Sequence, residues 1–194
     1  NMSYSQRAAL ILGKYLTDFT KDEVLYCVNN AYSKDKWASD DITPVRKLND
    51  NAYFLELWHG MTCAFKDVAL QILPHLLTTS VKKTDDSRTA VILVATSGDS
   101  GKAALEGFKD VKGTKIAVFY PSDGVSDIQK LQMTTQDGGN VTVSGIKGNF
   151  DDAQTAVKRI FTNEDMKRLL LENNLMFSSA NSINWGRLAP QIVY

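Results

Sequence analysis

Three short stretches of this 194-residue chain combine residue types able to do chemistry. Thr96-Ser97-Gly98-Asp99-Ser100-Gly101 sets glycines and hydroxyl residues between an apolar run and an apparent helix. Successive backbone N–H groups at such a turn form an anion cradle, reinforced by the helix N-terminus. A plain capped turn accounts for the same residues. A P-loop fails, because the glycine spacing is short and Ala103 stands where Ser or Thr should bind magnesium. A hydrolase nucleophile of the form G-x-S-x-G fails, because Lys102 takes the place of the last glycine. Only His59 and His75 could serve such a serine as base, and His75 follows Pro74 in an apolar segment that suits a structural role.

The second stretch runs from Glu56 to Asp67 and holds Lys66 at the opening of an apolar helix. The helix dipole there disfavours an ammonium, and partial desolvation favours the neutral amine that a nucleophile or covalent carrier needs. A snorkelling surface lysine is the plain alternative. The third stretch, Ser178 to Arg187, is dense in serine, asparagine and arginine donors suited to phosphate or carboxylate. An Asx-type helix cap with Arg187 outward explains those residues without a ligand.

Periodicity supplies the elements that must position these stretches. Ser3 to Leu16 carries Ala8, Leu12 and Leu16 at helical spacing, and Thr20 with Glu23 has capping-box spacing for a helix to about Tyr32. Lys34 to Asp41 reads as a loop. Pro44 to Leu48 and Ala52 to Leu57 read as strands around Asn49-Asp50-Asn51, and Thr62 to Leu77 as one helix. Strands are then expected at Ala90–Ala95, Lys115–Tyr120, Asn140–Val143 and Leu175–Ser178. The expected helices are Gly101–Phe108, Ser126–Thr135, Phe150–Phe161 and one near Trp185. That alternation implies an open α/β sheet of about four parallel strands flanked by helices, with a helical N-terminal part. Residues 1–60 are expected to hold the helices and short strands, and residues 61–194 the α/β domain. Ligands of open α/β sheets bind beyond the strands' carboxyl ends, where all three stretches map.

Lys plus Arg and Asp plus Glu both number 22, so no net field draws nucleic acid or an anionic membrane. No apolar run reaches the ~20 residues that span a bilayer. Cys27 and Cys63 offer neither a disulfide framework nor metal spacing. These features suggest a cytoplasmic protein with no metal, nucleic-acid or membrane partner. Asn1 precedes Met2, and Gln191 to Tyr194 reads as an apolar helix cut in mid-course, so an internal fragment is expected.

Taken together, the stretches resemble the threonine synthase family of fold-type-II pyridoxal-phosphate enzymes, in its long bacterial and fungal branch. Six pieces carry the resemblance in order: Asp18-Phe19-Thr20, Leu57 to Asp67, Ala95 to Ala104, Gly124-Val125-Ser126 with Gln132-Met133, Gly148 to Gln154, and Ser178 to Arg187. The resemblance implies that Lys66 carries pyridoxal 5'-phosphate covalently and moves protons. It implies that Ser97, Gly98 and Asp99 meet the cofactor and that Ser97, Ser100 and Gly101 meet the substrate's carboxylate. Asn181, Ser182 and Arg187 would hold the phosphate of O-phosphohomoserine. Family members would act as monomers or dimers. Met61 stands where the family usually has proline, and Ser100 where it has threonine. The family's glycine-rich loop for the cofactor phosphate lies beyond the matched pieces, so the fragment is expected to lack half of the cleft and to hold cofactor weakly.

Overall fold

A computed structural model describes residues 2–194. Two capping boxes open the chain. The Ser3 hydroxyl accepts from the Gln6 N–H, the Gln6 side chain returns a bond to Ser3, and helix α1 follows over Tyr4–Leu12. Thr20 and Glu23 repeat the arrangement for α2, Lys21–Ala31. Each box satisfies backbone donors that a helix start leaves without partners. A 3-10 turn, Lys34–Lys36, interrupts the expected loop. Strands β1 (Val45–Asn49) and β2 (Ala52–Leu55) then form an antiparallel hairpin with largely exposed side chains.

The single helix expected over Thr62 to Leu77 is not formed. An irregular segment runs to Lys66, followed by α3 (Asp67–Leu70) and α4 (Leu73–Lys83). Cys63 has φ 57°, a left-handed conformation that a right-handed helix cannot contain. Pro74 lacks the N–H that would continue α3 to the Leu70 carbonyl, and its ring crowds that oxygen. The helix therefore restarts and runs six residues past Leu77.

Strands β3 (Thr89–Ala95), β4 (Thr114–Pro121), β5 (Val141–Ile146) and β6 (Leu175–Ser178) form a parallel sheet in the order β5-β4-β3-β6. This is the open four-stranded α/β sheet that the alternation implies. Helices α5 (Asp99–Phe108) and α6 (Asp127–Thr134) cover one face, where Ile92, Ile116 and Val118 meet Leu105, Phe108 and Met133. Side chains alternate along a strand, so Leu93 and Ala117 point to the other face, which α7 (Phe150–Thr162) crosses. Helix α8 (Glu164–Glu172) is not among the expected elements. Asn163 ends α7 and caps α8 without glycine or proline between them, and no α8 residue is buried. After β6 come α9 (Trp185–Leu188) and a 3-10 turn, Ala189–Ile192, in place of the expected helix.

The N-terminal helices share a second core with Val68, Ile72, Leu76, Ala189 and Val193. No described helix is long and apolar enough to cross a membrane. The connections out of β3 and into its neighbour β6 leave the sheet in opposite directions, so a switch point lies between their carboxyl ends.

Candidate active site

The segment before α3 is held by one buried carboxylate. Asp67 is fully buried and accepts from the Thr62 N–H at 2.7 Å and the Thr62 hydroxyl at 2.6 Å. Burial pushes its pKa up, against the pull of the Thr62 hydrogen bonds. A Cβ on Gly60 would stand 2.5 Å from the Asp67 carboxylate, so glycine alone lets the segment wrap so closely. The wrap sets Lys66 at the start of α3, with a side chain only 19% exposed. Sequence reading gives Lys66 no counter-ion. The fold supplies Asp99, whose carboxylate accepts from Lys66 Nζ at 2.5 Å across 33 residues of chain.

Asp99 opens α5 on the turn after β3. The Thr96 hydroxyl accepts from the Gly98 N–H at 3.1 Å and the Gly101 N–H at 2.9 Å. Two donors of the supposed anion cradle are therefore already engaged, and the turn is stiffened from within. Gly101 is buried against Thr96 and Met133.

Beyond the carboxyl ends of β3 and β6 lies a cavity of about 610 Å³. Lys66 and Ser100 form one part of its wall, Asn181, Ser182 and Arg187 another. Leu93, Phe150 and Phe161 supply apolar surface. Arg187 is 6% exposed; its Nη1 donates to the Ala180 carbonyl at 2.8 Å, and its buried Nε has no partner among the described residues. Burial lowers the Arg187 pKa, with the charge of Asp99 opposing. Lys66, Lys158 and Arg187 line the cavity and no carboxylate does. A buried guanidinium with an orphaned donor, in a wall without anions, suits an anionic ligand.

The fold thus brings Lys66, Ser100, Asn181, Ser182 and Arg187 around one space. Ser97, Gly98, Asp99 and Gly101 stand outside the wall, and Asp99 is hydrogen-bonded to it through Lys66. Gln154 and Lys158 also line the cavity, with no role assigned to them from sequence. The buried stripe of Ala153 and Val157 on α7 was a usable signal, because each is followed by one of these residues. His59 is hydrogen-bonded to Glu56 at 2.7 Å, and His75 lines a different cavity, beside Arg88 and Gly113 at the sheet's other end. Neither stands beside Ser100 in its cavity wall, which removes the hydrolase arrangement.

Fold and site together define an α/β unit that presents a lysine in the wall of a cavity lined by cationic and neutral polar side chains. No family model matches the chain. A human protein named threonine synthase-like 1 is 40% identical over 200 aligned positions, covering 99% of this chain and 26% of its own length. Threonine synthase of Pseudomonas aeruginosa is 42% identical over 158 positions, 81% of this chain and 32% of its length. The crystal structure of pyridoxal-phosphate-bound threonine synthase from Brucella melitensis superposes with a TM-score of 0.89 at 35% identity, over 100% of this chain and 40% of that one. Over its whole length the chain is similar to one part of these threonine synthases. It spans between 26% and 40% of the length of these relatives.

Proposed function

We propose that the chain is the part of a threonine synthase that carries the cofactor lysine and the substrate's phosphate site. The reaction is the carbon–oxygen lyase conversion of O-phospho-L-homoserine and water to L-threonine and phosphate. The observation that carries this reading is the cavity itself, with Lys66 and the buried Arg187 in a wall free of carboxylates. The residues present fit the amine-binding end of pyridoxal 5'-phosphate, because Lys66 lines a roomy cavity, and the orphaned Arg187 Nε fits the substrate's phosphate.

When bound, the cofactor supplies an electron sink that makes the protons on the substrate's Cα and Cβ removable. Lys66 holds the cofactor and, as an amine facing the cavity, is placed to carry a proton. Asp99 fixes the direction of the Lys66 side chain. The Ser100 hydroxyl is a donor for the substrate's carboxylate. Asn181, Ser182 and Arg187 hold its phosphate, Arg187 through a fork that matches phosphate oxygens. Leu93, Phe150 and Phe161 limit water in the cavity.

The test is visible absorbance of the chain with added pyridoxal phosphate, before and after borohydride. The expected result is a band that borohydride bleaches and Lys66→Ala abolishes. A band that survives Lys66→Ala counts against Lys66 as the carrier; no band in the wild type is followed by the same test on a longer chain, and a second blank overturns the reading. A non-catalytic phosphate-binding module would use the Ser97–Gly101 turn and leave Lys66 idle. The partly buried Lys66, fixed by its own aspartate inside the same cavity, favours the enzyme.

A further inference from the structure

The cavity has a second cation whose chemistry the reading above leaves open. We propose that Lys158 is the outer arm of the phosphate site and selects the dianionic form of the substrate's phosphomonoester. The proposal rests on the phosphate reading of the Arg187 cavity. Helix α7 is 13 residues long, is fixed by an Asn149–Asp152 capping box, and buries Ala153 and Val157 against the sheet. Residues one position further on lie about 100° around the helix. Gln154 and Lys158 therefore flank the buried stripe one turn apart, and both line the cavity.

Lys158 Nζ donates to Gln154 Oε1 at 3.2 Å. Among the described residues it makes no ion pair, although acidic side chains pair with Lys66, Lys102 and Lys109. Charge matching follows. Asp99 is bonded to Lys66 and its charge also reaches Arg187, whereas Arg187 itself hydrogen-bonds only a backbone carbonyl and Lys158 only a neutral amide. Among the described residues neither makes an ion pair, and one carboxylate outside the wall stands against three cations in it. A phosphomonoester carries about two negative charges once its second proton leaves near pH 6. Arg187, buried and forked, fixes the head; Lys158, on the exposed rim of α7, answers the second charge and releases it with the product.

The experiment titrates the full chain with ethyl phosphate by calorimetry at pH 5.5 and 7.5, at constant ionic strength. Wild type is expected to bind more tightly at the higher pH. Lys158→Met should weaken dianion binding about three- to tenfold and flatten the pH dependence. Lys158→Arg should restore both. Because Lys158 is exposed, its substitution leaves folding unchanged, which a thermal melt checks. If Lys158→Met binds with the wild-type pH dependence while Arg187→Lys loses affinity, the Lys158 arm is wrong and the phosphate site stands. If the wild type binds no ester, or Arg187→Lys binds as the wild type does, the phosphate reading fails and the proposal with it. Pyridoxal phosphate loading separates the two possible phosphates. Unchanged loading in Lys158→Met is expected, and weakened loading would assign the arm to the cofactor and overturn the proposal.

Discussion

Gly107 of α5 lies against the carbonyl of Leu70, the last residue of α3, and substitution by alanine tests how rigidly those two helices are joined. A Cβ there would stand 2.1 Å from the Leu70 oxygen and 2.8 Å from its carbon, where ordinary contact begins at 3.4 Å. The obstacle is backbone, so no side chain can swing aside, and the helices must part by more than an ångström. Overpacking of this kind costs about 1–3 kcal/mol. Alanine in a free helical site would instead contribute about 1 kcal/mol over glycine. With rigid backbone on both sides the upper part of the range applies, and the net loss is about 2 kcal/mol. Urea unfolding at pH 7 reads it as a lower midpoint at unchanged slope. The same displacement moves Lys66, just before α3, relative to Asp99, which opens α5. Capture of pyridoxal phosphate should fall in parallel. A variant stabilised by about 0.5–1 kcal/mol, as an unobstructed glycine-to-alanine change would be, refutes the close approach.

His75 is 7% exposed with no partner on either ring nitrogen, and burial, helped by the charge of Lys36, holds its pKa down to about 4 from an ordinary 6.5. The unfolded chain therefore takes up the proton first, and stability is lost as pH falls from 6.5 towards 4. At 1.36 kcal/mol per pH unit the loss approaches about 3 kcal/mol. Unfolding curves at pH 7 and pH 4 should show His75→Leu losing less than the wild type by that amount, and equal losses would refute the assignment. Asp67→Asn removes an acceptor from the Thr62 pair and should cost about 1–3 kcal/mol. It should also speed amine-directed labelling of Lys66 as the segment from Gly60 loosens; unchanged stability and labelling would show that Asp67 does not hold it.

Much of the scaffold was legible because its signals are local. The Thr20–Glu23 capping box, a continuous apolar run at β3 and the turn at Asn49-Asp50-Asn51 each act within a few residues. The helix around Lys66 was misread because its breaks come from different sources. Pro74 is visible in the string, but the left-handed Cys63 and the Thr62–Asp67 bonds exist only once the segment folds back. Lys66, Asn181 and Arg187 were legible by type, yet residue type does not say whether they converge. Arg187 reads as an outward cap residue and is in fact buried. The Lys66–Asp99 pair joins segments that only the packing of α3 on α5 brings together. Helix α8 shows the opposite limit, with clear amphipathic content but no punctuation to separate it from α7.

The helical layer around Leu12 and Val28 is completed by Ala189 and Val193, which follow every strand of the sheet in sequence. On a ribosome, residues emerge at about 5–20 per second, so the wait between Ile42 and Ala189 is on the order of ten seconds. During that interval the apolar faces of α1 and α2 have only part of their cover, from α3 and α4. The nascent chain is then a client for chaperones that read exposed aliphatic surface. Its β3-to-β5 sheet, built from neighbouring segments, can already be in place while the first helices still wait for their last contacts.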